Sequence, residues 1–238
     1  MIAAIILLVL GVGMSTVFII SKVINYSLKT IIFKTIASLF FLAIAILAFC
    51  LTGKDDYFLF KLFTVLGLFF GMLGDVFLGF KYITTKTKNA WILSGMFAFL
   101  LGHVFYIVAL LVGFYVKGYP VAIILPFFLP ALFITVYMIV AKKTGINFGK
   151  GMLPFALSYL YCLTCMVSTA VCMVVLHRFS IVGLVMFFAG SMCFATSDFM
   201  LTGSYFKPGK RSGAYNAIYS VFYYVAQFLI AFSIFFLV

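Results

Sequence analysis

The sequence predicts an all-α transmembrane bundle of about eight helices, forming one integral membrane domain over residues 1–238. Three observations predict it. Of the residues, 67% are hydrophobic and only 8% charged, and the mean hydropathy is +1.33, far from the make-up of soluble domains. Apolar runs of roughly 20 residues, the length that crosses the hydrocarbon layer, recur along the whole chain. The basic residues also gather in alternate connections, as they do in polytopic membrane proteins.

On the length ruler the spans fall at 2–20, 31–51, 57–80, 90–115, 119–141, 152–175, 179–202 and 214–238. The first begins at Met1 without a basic stretch, so it reads as a retained span rather than a cleaved signal. The connections are short, which makes consecutive helices antiparallel neighbours and leaves no room for a soluble domain. Lys22, Lys29, Lys34, Lys81, Lys86, Lys88, Lys142, Lys143, Lys150, Lys207, Lys210 and Arg211 lie on one side. Lys54, Lys61, Lys117 and Arg178 lie on the other, and the two sets account for the chain's 16 basic residues. The richer side is expected to be cytoplasmic, with both termini on the opposite side. The net charge of +12 is then the signature of membrane orientation, not of nucleic-acid binding. The expected partner is the bilayer, whose anionic headgroups meet the basic loops.

The second span carries Lys34 four residues inside its start, where its ammonium can snorkel to the headgroups. The third holds Asp75, the only charge between Lys61 and Lys81. Gly67, Gly71, Asp75 and Gly79 recur every four residues, so on a helix they form one narrow stripe. Small residues at that spacing allow a neighbouring helix to come close. The fourth span holds His103 and Tyr106, three residues apart. The fifth contains Pro126 and Pro130. The sixth contains Cys162 and Cys165, whose spacing suits a metal but which lack His or Cys partners, so a packing face is the expectation. The seventh holds Asp198. The eighth carries Asn216, Ser220, Tyr223, Gln227 and Ala231 as one polar stripe. The ordinary role of such polar residues is hydrogen bonding between helices.

Asp75 and Asp198 stand apart. The chain has four acids, Asp55, Asp56, Asp75 and Asp198, and these two alone lie within apolar runs. Intramembrane carboxylates are costly and commonly mark functional sites. Both sit shortly before basic loops of the same side, so at about 1.5 Å per residue they lie at similar depth in the cytoplasmic half. The run Asp75-Val76-Phe77-Leu78-Gly79 is echoed by Asp198-Phe199-Met200-Leu201-Thr202-Gly203. Val104-Phe105-Tyr106-Ile107-Val108-Ala109 is echoed by Val221-Phe222-Tyr223-Tyr224-Val225-Ala226. These matches suggest two parallel four-helix halves, 1–115 and 119–238, related by an axis along the membrane normal.

Gly74-Asp75-Val76-Phe77-Leu78 and Gly102-His103-Val104-Phe105-Tyr106 resemble the first half of the lysoplasmalogenase (YhhN-like) membrane family. Ser197-Asp198 and Tyr223-Tyr224-Val225-Ala226-Gln227 resemble its second half, so the likeness runs from about Lys34 to Gln227. The family often has Lys-Pro at the start of the second helix, where this chain has Lys34-Thr35. The resemblance implies a polytopic hydrolase that cleaves the vinyl-ether bond of a lysoplasmalogen to a fatty aldehyde and a glycerophospho-headgroup compound. It implies Asp75 and Asp198 as the catalytic residues. Lys34, His103, Tyr106, Asn216, Tyr223, Tyr224 and Gln227 are the expected substrate-binding set, and no metal or cofactor is expected. The glycines around Asp75 suggest the drier seat, which favours Asp75 as the acid. The expected membrane is the plasma membrane of a bacterium or an endoplasmic-reticulum-type membrane of a eukaryote.

Two other classes compete. A small-solute or proton-coupled transporter also uses carboxylates near the midplane and repeated halves, but it commonly has broken helices at the site. The other is a non-catalytic lipid-binding or scaffold protein. The chain carries no Gly-x-Ser-x-Gly, phosphate loop or His-rich set, which argues against serine, nucleotide and zinc chemistry.

Overall fold

The structure, a computed structural model, describes residues 1–81, 83, 86–149, 151–206 and 212–237. Among them are eight long helices: α1 (Ile2–Ile24), α2 (Leu28–Thr52), α3 (Phe58–Phe80), α4 (Lys88–Phe114), α5 (Val121–Lys143), α6 (Leu153–Leu176), α7 (Val182–Phe206) and α8 (Gly213–Ser233), followed by a short 3-10 turn, Ile234–Phe236. All eight are long and apolar enough to cross a membrane. They coincide with the eight expected spans. Lys150, Lys207, Lys210 and Arg211, counted above among the basic residues of one side, and Val238, the expected end of the last span, lie outside the described residues.

Two boundaries shift for a physical reason. The expected first span stops at residue 20, yet α1 runs on to Ile24. Its last turn is tied into the bundle, because Lys22 Nζ donates to Ser220 Oγ of α8 at 2.7 Å. The expected seventh span stops at residue 202, yet α7 continues to Phe206, whose carbonyl accepts from Asn147 N at 2.8 Å. Hydropathy alone sees neither tie.

The centre of the bundle is the pairing of α3 with α4 and of α7 with α8. Glycines set the α3–α4 separation. A Cβ on Gly102 would stand 3.0 Å from the Gly67 carbonyl oxygen, and one on Gly95 would stand 2.6 Å from the Leu78 side chain. Gly74 leaves room for the ring of Phe99, whose nearest atoms would be 2.6 Å from an added Cβ. Filling such sites forces backbone shifts that typically cost about 1–3 kcal/mol. The α3 stripe does not face a single neighbour. Gly67 lies under Tyr106 of α4, Gly71 faces Gln227 of α8, and Gly79 faces Ile31 of α2. The stripe therefore lets three helices converge around Asp75.

The wall of the bundle is less crowded. α5 packs chiefly on α6, and its large apolar residues, including Phe128, Leu132 and Val136, are exposed on its surface. Pro126 and Pro130 lie in this helix, away from both aspartates. At the opposite end of α3, Lys61 is buried, pairs with Asp55 at 2.9 Å, and donates to the Gly53 carbonyl at 2.8 Å. That contact ties the start of α3 to the end of α2.

Candidate functional site

The site begins where α2 begins. The Thr30 hydroxyl accepts the Ser27 backbone N–H at 3.2 Å, which helps to start the helix at Leu28. Lys34 and Ser38, four residues apart, then share one helix face. That face meets Asp75 of α3. Lys34 Nζ lies 2.8 Å from Asp75 Oδ1, Ser38 Oγ donates to Oδ2 at 2.5 Å, and Tyr223 of α8 donates to the same oxygen at 2.7 Å. Gln227, one turn further along α8, donates to the Tyr223 hydroxyl at 2.8 Å. Asp75 is 1% exposed. A buried carboxylate is sustained only when its oxygens are met by donors or a counter-charge, and Asp75 has both. Every one of these donors serves the ionised form of the acid.

Asp198 is built differently. The Tyr159 hydroxyl of α6 donates to its Oδ2. Behind Tyr159, His103 Nε2 of α4 lies 3.3 Å from the same hydroxyl. Tyrosine has one hydroxyl hydrogen, and Asp198 receives it, so His103 must donate through Nε2–H. Its Nδ1 then carries the lone pair, consistent with a buried Nδ1 that has no partner among the described residues. The result is a directed chain from His103 through Tyr159 to Asp198. No lysine or arginine forms an ion pair with Asp198 among the described residues. Ser197 beside it donates to the Tyr219 carbonyl at 2.8 Å, which holds α7 against α8.

Both carboxylates line one cavity. Its wall includes Lys22, Lys34, Asp75, Tyr159, Asp198, Ser220 and Tyr223, and an apolar part made by Phe18, Leu78, Met96, Phe99 and Leu160. About 900 Å³ of empty space lies among these side chains, part of it open to the exterior. Counted along the helices, Asp75 lies five residues before the end of α3 and Asp198 eight before the end of α7. At 1.5 Å per residue these are depths of about 8 and 12 Å from the same side of the bundle.

The expected substrate-binding residues divide into three groups. Lys34 and Tyr223 line the cavity, and the Lys34 ammonium pairs with Asp75 rather than snorkelling alone to the headgroups. His103 and Gln227 stand one residue back, behind Tyr159 and Tyr223. Tyr106, Tyr224 and Asn216 are not in the wall. Tyr106 packs over Gly67 and edge-on to Phe187 at 5.5 Å, while Tyr224 packs edge-on to Phe18 at 5.8 Å. Asn216 accepts from Ser204 Oγ at 3.4 Å. Sequence reasoning misses Tyr159, Lys22 and Ser38. Tyr159 has one usable signal: it stands six residues into α6, as Lys34 stands six residues into α2.

Among the described residues no three His, Cys, Asp or Glu side chains gather at metal-binding distance. The Cys162 thiol points to the Leu100 carbonyl, at 3.8 Å.

The ion pair makes a testable stability claim. Removing one partner of a buried pair leaves an uncompensated charge and typically costs about 3–5 kcal/mol. Lys34→Met should therefore lower the unfolding temperature in detergent markedly, and the double variant Lys34→Met/Asp75→Asn should recover much of the loss. Equal stability of the wild type and Lys34→Met in thermal unfolding would show that the pair does not support the bundle.

The comparisons with known proteins bear on the same residues. No curated protein and no solved structure matches the chain. The sequence model of the YhhN family matches residues 29–234, which run from the first turn of α2 to the end of α8 and include both aspartates. The chain belongs to the YhhN family, the family of lysoplasmalogenase-like membrane proteins.

Proposed function

We propose that the protein is an intramembrane hydrolase that cleaves the vinyl-ether bond of a lysoplasmalogen at the cavity between α3 and α7. The observation that carries the reading is the pair of carboxylates in one cavity with unlike surroundings. Asp75 is met by a lysine and two hydroxyls, whereas among the described residues Asp198 is met by a tyrosine alone. Neighbouring carboxyls whose environments push them toward opposite charge states are the usual arrangement for acid–base work. Family membership supports the substrate class.

The asymmetry assigns the roles. Asp75, with its donors, is the carboxylate. Asp198, which lacks a cation, is the acid, the reverse of what the glycine-lined seat of Asp75 suggests from sequence. Asp198 gives its proton to the outer carbon of the vinyl ether, leaving an oxocarbenium ion at the carbon bonded to oxygen. The charge of Asp75 stabilises that cation, as a carboxylate does in glycosidases. Water adds to the cationic carbon while Asp75 takes its proton, which yields a hemiacetal. Asp75 then returns that proton to the departing glycerol oxygen, and Asp198 removes the hemiacetal hydroxyl proton. Aldehyde and alcohol leave, and both carboxyls are restored. Tyr159, backed by His103, holds Asp198 in place, and Tyr223, backed by Gln227, does the same for Asp75.

The competing transporter reading has less support. Asp75 and Asp198 lie in uninterrupted helices, α3 and α7, with no proline beside them. The apolar part of the cavity suits an alkyl chain, and its polar end suits a headgroup. The same reading places the polar end at the cytoplasmic leaflet and both termini on the far side. It also treats the halves as a repeat: Asp75 takes donors from α2 and α8, and Asp198 takes its chain of donors from α6 and α4.

Two measurements test these statements. Purified protein in detergent, given a lysoplasmalogen, should release aldehyde. Asp75→Asn and Asp198→Asn, each checked for intact folding, should each reduce the rate by about 10²–10⁴-fold. Wild-type activity in either variant would defeat the two-carboxyl mechanism. A reporter fused at the C-terminus should be silent if it works only in the cytoplasm, and activity there would reverse the assigned orientation.

A further inference from the structure

One half-buried cation in the cavity has no part in the chemistry described so far. Lys22 stands in the last turn of α1 and lines the wall with Asp75 and Asp198. Its ammonium donates to Ser220 Oγ at 2.7 Å and lies 4.0 Å from the centre of the Tyr219 ring. The Ser220 hydroxyl hydrogen goes in turn to the Asn216 carbonyl at 2.8 Å. An ammonium has three hydrogens, so two are left for a ligand. Among the described residues the ion pairs are Lys34 with Asp75 and Lys61 with Asp55. Lys22 has no carboxylate of its own. A charge held in a largely apolar wall calls for an opposite charge; among the described residues no carboxylate forms an ion pair with Lys22, and Asp75, the ionised acid of that wall, is already paired with Lys34.

We propose that Lys22, positioned by Ser220 and the Tyr219 ring, binds the phosphate of a lysophospholipid headgroup and so sets the vinyl ether beside the two carboxyls. This rests on the hydrolase reading above. The spacing agrees with it. Ser220, which holds Lys22, and Tyr223, which holds Asp75, are three residues apart on α8, about 4.5 Å along the axis. In a lysoplasmalogen, the three glycerol carbons separate the phosphate from the vinyl-ether oxygen and bridge a distance of that order. A phosphate at Lys22 therefore leaves the reactive bond one helical turn deeper, at the level of Asp75, with the alkyl chain directed to Phe99, Met96 and Leu160. The cluster around it is rich in positive charge. Lys81, one residue past α3, is buried, and burial together with the charges of Lys22, Lys34 and Lys88 holds its ammonium well below the ordinary lysine range. An anion would relieve that crowding. Lys34 is committed to Asp75, which leaves Lys22 as the lysine for this task. Lys22 also precedes residue 29, where the family match starts, so α1 adds the seat to the matched helices.

The test is binding of lipids that the enzyme cannot cleave. A saturated 1-alkyl ether of glycerophosphocholine carries the phosphate, and the matching 1-alkylglycerol does not. Wild-type protein in detergent should bind the phosphate-bearing lipid roughly tenfold to a hundredfold more tightly, the range expected of a charge-assisted contact. Lys22→Met should abolish that preference, Lys22→Arg should keep most of it, and Lys29→Met, at an exposed lysine of the same side, should behave as wild type. A preference undiminished in Lys22→Met would overturn the proposal. So would loss of the preference in Lys29→Met, which would mark a general surface-charge effect. Inorganic phosphate or glycerophosphocholine competing as well as the lipid would assign the seat to soluble phosphate esters and overturn the headgroup reading. The two proposals fail separately. Lys22-dependent binding without aldehyde release would retain the seat and reject the hydrolase. Aldehyde release with a KM unchanged in Lys22→Met would do the reverse.

Discussion

A carboxylate cannot sit in hydrocarbon alone, and the bundle is organised around meeting that requirement at Asp75. Its oxygens draw Lys34 and Ser38 from α2 and Tyr223 from α8 onto α3. For these helices to converge, α3 has to be thin. Gly67, Gly71, Gly74 and Gly79 make it so, each against a different side chain of α4, α8 or α2. In a membrane the apolar surfaces of helices gain little from meeting one another, so close packing and polar contacts carry much of the association. The ion pair, which joins the consecutive helices α2 and α3, and the Tyr223 and Gln227 contacts, which bring the distant α8 onto α3, are such contacts.

The second carboxyl is met by a lighter set of partners, and that difference carries the functional argument. One face of the cavity has a neutralised, well-donated carboxylate. The other has an acid supported by a tyrosine and, through it, a histidine. A symmetric pair with equal partners would have no reason to divide acid from base. In the proposed mechanism the division follows from which residue stands six positions after the start of each preceding helix: Lys34 in α2 and Tyr159 in α6. A lysine at the first place and a tyrosine at the second give the two carboxyls different surroundings.

Much of this was legible in the chain, for reasons that differ from element to element. The eight helices follow from length and hydropathy, because a bilayer imposes one ruler on every span. Asp75 and Asp198 were conspicuous because charge is scarce in apolar sequence. The tyrosines were not. With 14 Tyr and 32 Phe in the chain, nothing in composition separates Tyr159, which meets Asp198, from Tyr106, which packs on Gly67. Tyr106 and Tyr223 stand in nearly the same local sequence, yet one is core and the other touches a carboxylate. Lys22 and Lys34 read as loop and snorkelling lysines because hydropathy places them near the headgroups. Their hydrogen-bond partners lie on other helices, and sequence order does not reveal which helices close on one another.

The central claim is that the two aspartates of one cavity hold opposite charge states, Asp75 ionised and Asp198 protonated. The most direct measurement is the infrared absorption of protonated carboxyl groups in folded protein near neutral pH, compared among wild type, Asp75→Asn and Asp198→Asn. The account predicts a protonated-carboxyl band in the wild type that persists in Asp75→Asn and disappears in Asp198→Asn. A band that disappears in Asp75→Asn and persists in Asp198→Asn, or a wild type with no such band, would contradict it.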